Sequence, residues 1–244
     1  MRIAALSDIH GNLPALDAVL ADIRHRNVDQ IVNLGDIVSG ALFPQETADR
    51  LMALSLPTIS GNHERQVLHD KAASMSLADE YAAKRLRADQ LQWIAALPQT
   101  LRLNAEVLLV HGTPDSDLVY LLETLTSEGI RRASISEVME RAGNTDATLI
   151  LCGHSHIQRA IQLDDGRLVV NPGSVGLQAY STEYPSPHIV EMGSPHARYA
   201  IIEKRETGWL AQLLAVPYDW QHAALVAERN GRMDWGRSLR TGRV

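Results

Sequence analysis

The stretch LCGHSHIQ, residues 151–158, follows the apolar run Ala147-Thr148-Leu149-Ile150. A glycine and two histidines two apart therefore stand where a short buried run ends, in a chain with ten histidines and one cysteine. The run is too short for a helix, since strands take about 4–8 residues and helices about 10–12 or more. Similar short runs recur at 2–6, 30–34, 57–59, 106–110, 168–170, 199–202 and 209–216. Between the early ones lie helical spacings. Leu13, Leu16, Val19, Leu20 and Ile23 recur every three or four residues, with Asn12 placed to cap and Pro14 tolerated in the first turn. The same spacing predicts helices over 45–54, 77–97 and 134–142. Strand and helix thus alternate through the first 150 residues, as in a layered α/β fold, and after Thr148 the pattern turns to consecutive strands.

Set side by side, the ends of these strands share a chemistry. Ser7-Asp8-Ile9-His10-Gly11-Asn12 follows the first, Gly35-Asp36 the second, Gly61-Asn62-His63-Glu64 the third, His111-Gly112 the fourth and Gly153-His154-Ser155-His156 the fifth. Taken singly, each piece reads as a turn or a cap. Taken together, they gather at one place, because open α/β sheets bind ligands beyond the carboxyl ends of their strands. Imidazole nitrogens with carboxylate and amide oxygens, and no thiolate, suit Mn, Fe, Zn, Ni or Co rather than a cysteine-rich zinc site or an all-oxygen calcium cage. The donors are too many for one ion. Two ions about 3.5–4 Å apart, bridged by a carboxylate, suit in-line displacement at phosphorus, so the residues read as a two-metal phosphoesterase.

The totals agree with such an enzyme. At 244 residues, 45% hydrophobic and 21% charged, the chain is sized for one domain over 1–244, and no apolar run approaches a membrane span. Met1 leads straight into Arg2-Ile3-Ala4-Ala5-Leu6 without a secretory pattern, and Cys152 has no disulfide partner, which predicts a reducing cytoplasm. A net charge of −6 speaks against extended nucleic acid as a partner but not against a small phosphoester, because bound ions would dominate the local field.

The five blocks resemble the calcineurin-like metallophosphoesterase superfamily, whose signature is D-x-H, G-D, G-N-H-[DE], a histidine after a strand, and G-H-x-H. Asn171-Pro172-Gly173-Ser174-Val175-Gly176 and the strand from Ala197 to Glu203 are similar, more narrowly, to its small bacterial YfcE-like phosphodiesterase branch. The resemblance implies a four-layer αββα sandwich of two mixed sheets. It implies two divalent ions, manganese leading and iron, zinc, nickel or cobalt open. Asp8, His10 and His156 would hold the first, Asn62, His111 and His154 the second, and Asp36 would bridge them. His63 would face the phosphate as the catalytic imidazole, and a metal-bridging hydroxide would be the nucleophile.

The chain also departs from relatives of that family. Protein phosphatases read G-D-x-V-D-R-G at the second block, where this chain has Gly35-Asp36-Ile37-Val38-Ser39-Gly40, so the carboxylate that would orient His63 and the arginine that would grip a phosphate are missing from their places. A phosphodiesterase acting on a small or nucleotide-like phosphoester is the leading expectation. A phosphomonoesterase or protein phosphatase is its enzymatic rival, and a non-catalytic scaffold on the same fold its rival of another class. Residues 178–196 read as a polar, proline-bearing loop insertion, either plain surface or a cover over the metal site. Residues 219–244 read as a helical tail, with Asp219 as cap, a stop near Asn230-Gly231, and Arg232, Arg237, Arg240 and Arg243 on a solvated face. His25, His69 and His222, and less firmly His188 and His196, read as surface or packing residues.

Overall fold

The computed structural model describes residues 1–70 and 75–244. Its central strands are largely apolar because each faces two cores. In β1 (Arg2–Leu6), Ile3 and Ala5 enter one core, Ala4 and Leu6 another. In β4 (Val107–Val110), β7 (Leu149–Leu151) and β9 (Leu168–Asn171), Leu109, Leu151 and Val170 point one way and Val110, Ile150 and Val169 the other. Side chains alternate with a period of two, so a strand covered on both faces reads as an unbroken apolar run.

One sheet has the order β13 (Gly208–Val216), β12 (Ala197–Arg205), β1 and β2 (Gln30–Asn33). The other runs β3 (Thr100–Arg102), β4, β7, β9 and β8 (Arg159–Gln162). Both are mixed: β1 with β2, and β7 with β4 and with β9, pair in parallel, while the flanking strands pair antiparallel. Ile3, Val32, Leu109, Leu151, Val170 and Ile202 fill the space between the sheets. Helices α1 (Leu13–Ile23), α2 (Pro44–Leu54), α3 (Asn62–His69), α4 (Leu77–Ala83) and α5 (Ala88–Ala95) pack residues such as Leu16, Leu51, Val67, Ala82 and Ile94 on the first sheet's outer face. The second is covered by α6 (Ile135–Ala142) through Val138 and Ala142, beside the hairpin β5 (Glu123–Thr126) and β6 (Gly129–Arg132). The result is the expected αββα layering. Among the described residues no helix is long and apolar enough to cross a membrane.

The structure corrects the sequence reading at four places. The helix expected over 77–97 is two, because Arg87 takes an extended conformation and the buried Gln90 side chain caps its N–H at 3.0 Å. Residues 57–59 make a single bridge, Thr58 to Asn33, rather than a strand. The stretch read as a loop over 178–196 contains an antiparallel hairpin, β10 (Ala179–Thr182) and β11 (His188–Glu191), with Pro185 and Pro187 confined to its turn. The tail holds two helices, α7 (Trp220–Arg229) and α8 (Met233–Thr241), the second anchored by buried Trp235 and Leu239 one helical turn apart. Its arginines are not a uniform solvated face, since Arg240 pairs with Glu228 and Arg232 with Asp234.

The loops that follow the parallel strands are tied to one another at one edge of the sandwich. Asp8 N–H donates to the Gly35 carbonyl at 3.0 Å and Gly153 N–H to the His111 carbonyl at 2.8 Å. The His154 N–H donates to the Asp8 carboxylate at 3.2 Å, joining the sheets. Glu64, wholly buried, accepts from the N–H groups of Asp36 (2.8 Å), Ile37 (2.7 Å) and Gly61 (2.9 Å). One carboxylate thus pins two loops. Glu64→Ala leaves three buried donors unmet, and at about 1–3 kcal/mol per lost partner the expected loss of folding stability is on the order of 3 kcal/mol. Urea unfolding checks this; a loss below about 1 kcal/mol would remove Glu64 from that role.

Candidate metal centre

Seven non-glycine residues among those described have φ in the left-handed region: Asp8, His10, Asn27, Asp36, Ser55, His154 and His156. Five of these are candidate ligands. Such a backbone costs about 1–3 kcal/mol per residue and clusters at functional sites. Here it turns the chain sharply off a strand, so that Asp8 and His10, or His154 and His156, aim inward from one short loop. Close approach is needed too: a Cβ on Gly61 would collide with Asp36 Oδ1, and one on Gly153 with Ser7 Oγ.

The side chains converge in two groups. Ligand atoms of Asp8, His10 and His156 lie within 4.8 Å of one another, as do those of Asp36, His111 and His154. Asn62 joins the second group, its Oδ1 at 3.2 Å from His111 Nε2. His10 Nδ1 donates to the Ser39 carbonyl (2.7 Å) and His156 Nδ1 to the Leu177 carbonyl (2.8 Å), while their Nε2 atoms face each other at 3.1 Å. A carbonyl can only accept, so each ring carries its proton on Nδ1 and both Nε2 lone pairs meet. A cation removes that repulsion. His111 repeats the pattern, with Nδ1 on the Leu34 carbonyl at 2.7 Å and Nε2 aimed at Asp36 Oδ2 at 3.2 Å. The donor set therefore fits divalent ions of the imidazole-binding class.

Electrostatics point the same way. Burial pulls the His10 imidazole down to about 4 and His154 to about 3, and holds His156 well below the usual range, leaving all three neutral with lone pairs available. Burial first, and the neighbouring Asp36 charge next among the raising influences, lift Asp8 to about 7, against the pull of His111. Burial opposes ionisation of Asp36, but His111, His63 and His10 outweigh it and keep the carboxylate charged. Burial also opposes the charged form of His111, yet Asp36 overrides it and lifts that imidazole to about 9.

His63 is differently placed. Its side chain is 25% exposed and lines the cleft, whereas those of Asp36 and His111 are 2% and 0% exposed. Its Nδ1 lies 2.7 Å from Asp79 Oδ1, and Asp79 in turn accepts from Ser39 Oγ (2.6 Å) and Ser76 Oγ (2.5 Å). The orienting carboxylate absent from the second motif is thus supplied by α4. The cap position of Ser76, three residues before Asp79, marks the helix start in the sequence, but nothing there marks its reach to His63. Burial works against the His63 imidazolium, and Asp36 and Asp79 together overcome it, lifting the group to about 10.

Around this floor the walls are aromatic. The Tyr120 ring lies 4.7 Å from His154 and Tyr180 4.8 Å from His156, and their hydroxyls share a hydrogen bond of 2.8 Å. His188 Nε2, read from the sequence as packing, lies 2.9 Å from Tyr120 Oη and is buried behind the site. His25, His69 and His222 lie on the surface. Walls and floor enclose a cleft of about 960 Å³.

Comparison with known proteins agrees with this geometry. Residues 1–193 match the calcineurin-like phosphoesterase superfamily domain. An uncharacterized protein of Methanocaldococcus jannaschii is 28% identical over 255 residues, covering 99% of this chain and 98% of its own. The crystal structure of a metallophosphoesterase from Sphaerobacter thermophilus aligns with a TM-score of 0.74 at 25% identity over 99% of each chain. That of a hypothetical protein from Pyrococcus horikoshii OT3 aligns equally well, at 18% identity over 99% of this chain and 98% of the other, a likeness of fold alone. Since the family match, over residues 1–193, spans all five motifs, the chain belongs to the calcineurin-like phosphoesterase superfamily and is a metal-dependent hydrolase of phosphoester bonds.

Proposed function

We propose that the chain, one metallophosphoesterase domain over residues 1–244, is a dinuclear phosphodiesterase that cleaves a small or nucleotide-like phosphoester. The observation that carries this reading is the His10–His156 contact, two Nε2 lone pairs at 3.1 Å beside a second cluster of Asp36, His111 and Asn62. Asp8, His10 and His156 would hold one divalent ion, Asn62, His111 and His154 the other, and Asp36 would bridge. When bound, the ions supply Lewis-acid charge that neutralises phosphate oxygens and acidifies water. Manganese leads among the candidates, and a small phosphoester in the cytoplasm is the expected setting.

The chain's own residues do the rest. His63 stands on the open side of the cluster, where its imidazolium can meet a phosphate oxygen or protonate a departing alkoxide. Asp79 fixes its ring through Nδ1 and leaves Nε2 as the atom that faces substrate. The two serines hold Asp79 in turn, so the acid is oriented before substrate arrives. A cleft of about 960 Å³ is at the top of the usual range of roughly 300–1,000 Å³ for ligand sites, which supports a substrate with a group on each side of the phosphate.

Asp36→Asn, in metal-stripped protein refilled with Mn²⁺, is expected to abolish hydrolysis of bis(p-nitrophenyl) phosphate with the fold retained by circular dichroism; full activity in that variant overturns the bridging role. Wild-type preference for p-nitrophenyl phosphate over the diester would instead favour a phosphomonoesterase. Asp79→Asn should lower kcat by about 10- to 100-fold, in line with the loss of an outer-sphere partner. Its second signature is in the pH profile. A neighbouring carboxylate raises an imidazole pKa, so removing one should move the alkaline limb, where His63 loses its proton, to lower pH by about 1 unit or more. An unmoved limb would leave Asp79 with a structural role only.

A further inference from the structure

The family match ends at residue 193, yet part of the cleft wall comes from α8, beyond it. This helix is seated firmly against the metal site. The Trp235 ring is 6% exposed and meets the His10 ring edge-on at 6.1 Å, and a Cβ on Gly40 would come within 2.9 Å of its Cη2. Arg240 pairs with Glu228 of α7, and the Gly193 N–H donates to the Gly242 carbonyl at 2.9 Å. Asp234, Arg237 and Ser238, spaced by three and four, share the face that lines the cleft.

The charges on that wall differ in their partners. Arg232 forms an ion pair with Asp234 at 2.6 Å, which cancels both. Asp79 is committed to His63 at 2.7 Å. Among the described residues Arg237 makes no ion pair or side-chain hydrogen bond, and it is exposed to the cleft. A guanidinium offers a planar fork of donors matched to phosphate or carboxylate. The cleft, whose lining also includes Tyr120 and Tyr180, is larger than a lone phosphate at the ions requires.

We infer that Arg237 is a specificity residue, recognising a second phosphate carried by the organic portion of the substrate. This rests on the phosphodiesterase reading above and narrows it: the substrate class is a diester in which one esterified alcohol bears a further phosphate, with an apolar ring or sugar between the two. The scissile phosphate sits at the metal cluster and the distal one at α8. Arg237 makes the second contact and takes no part in the chemistry.

Titration calorimetry of Mn²⁺-loaded protein with thymidine 5′-monophosphate and thymidine 3′,5′-bisphosphate tests this without turnover. Because extra charge alone favours the bisphosphate near dications, the decisive quantity is the change in the affinity ratio on substitution. Loss of a charge-assisted contact should shrink the wild-type ratio by about tenfold or more in Arg237→Ala, with an intermediate ratio in Arg237→Lys. A ratio unchanged by Arg237→Ala, or no preference in the wild type, overturns the assignment. Hydrolysis of bis(p-nitrophenyl) phosphate, which lacks a second anion, judges the phosphodiesterase reading separately. Silence there with the binding difference intact defeats that reading and keeps the anion site, whereas turnover without the binding difference defeats the anion site alone.

Discussion

Imidazole lone pairs and carboxylates crowded into a buried space would repel one another without compensating charge, and the rest of the structure is arranged around that constraint. His10 Nε2 and His156 Nε2 meet at 3.1 Å only because each ring is fixed from behind by a main-chain carbonyl. The carbonyls of Ser39 and Leu177 decide which nitrogen carries the proton, and so which faces inward. Holding these groups also takes five left-handed backbone positions, each unfavourable by about 1–3 kcal/mol. Such local cost persists only where the surroundings fix the chain. Here they do so through a core between the sheets, helical layers outside them, and Glu64 fastening two of the loops.

Much of this was legible in the sequence because it rests on short-range rules. Unbroken apolar runs of strand length marked β1, β4, β7 and β9, since burial on both faces suppresses the alternation that a half-exposed strand shows. The polar residues at their ends pointed to one site because parallel strands deliver their carboxyl ends to the same edge. Gly153 and Gly61 stand where the chain must pass against Ser7 and Asp36, a requirement that no larger residue meets.

What was not legible depends on contacts distant in sequence. Asp79 reaches His63 only because α4 packs against α3, and no motif near Asp79 records that pairing. The break between α4 and α5 has no serine, threonine or aspartate at its cap. Arg87 stands there, and the buried Gln90 side chain makes the turn. The 178–196 stretch looked irregular because three prolines interrupt it, yet all three fall between strands and leave the ladder intact. His188 looked like a packing residue and does pack, but against the tyrosines that roof the metal site.

The division of labour follows from how each part is held. Most of the candidate ligands come from strand ends, whose positions are fixed by two cores and by main-chain hydrogen bonds. The walls come from the β10–β11 hairpin, the 116–120 segment and α8, the last packed in a separate cluster with Ala41, Leu42 and Leu177. A hydrolase built this way can keep one reaction centre while its substrate is chosen elsewhere. The His10–Trp235 contact is where the two parts meet, for it puts α8 directly against an ion-facing imidazole. A shift of that helix would therefore change the shape of the cleft and the setting of His10 together.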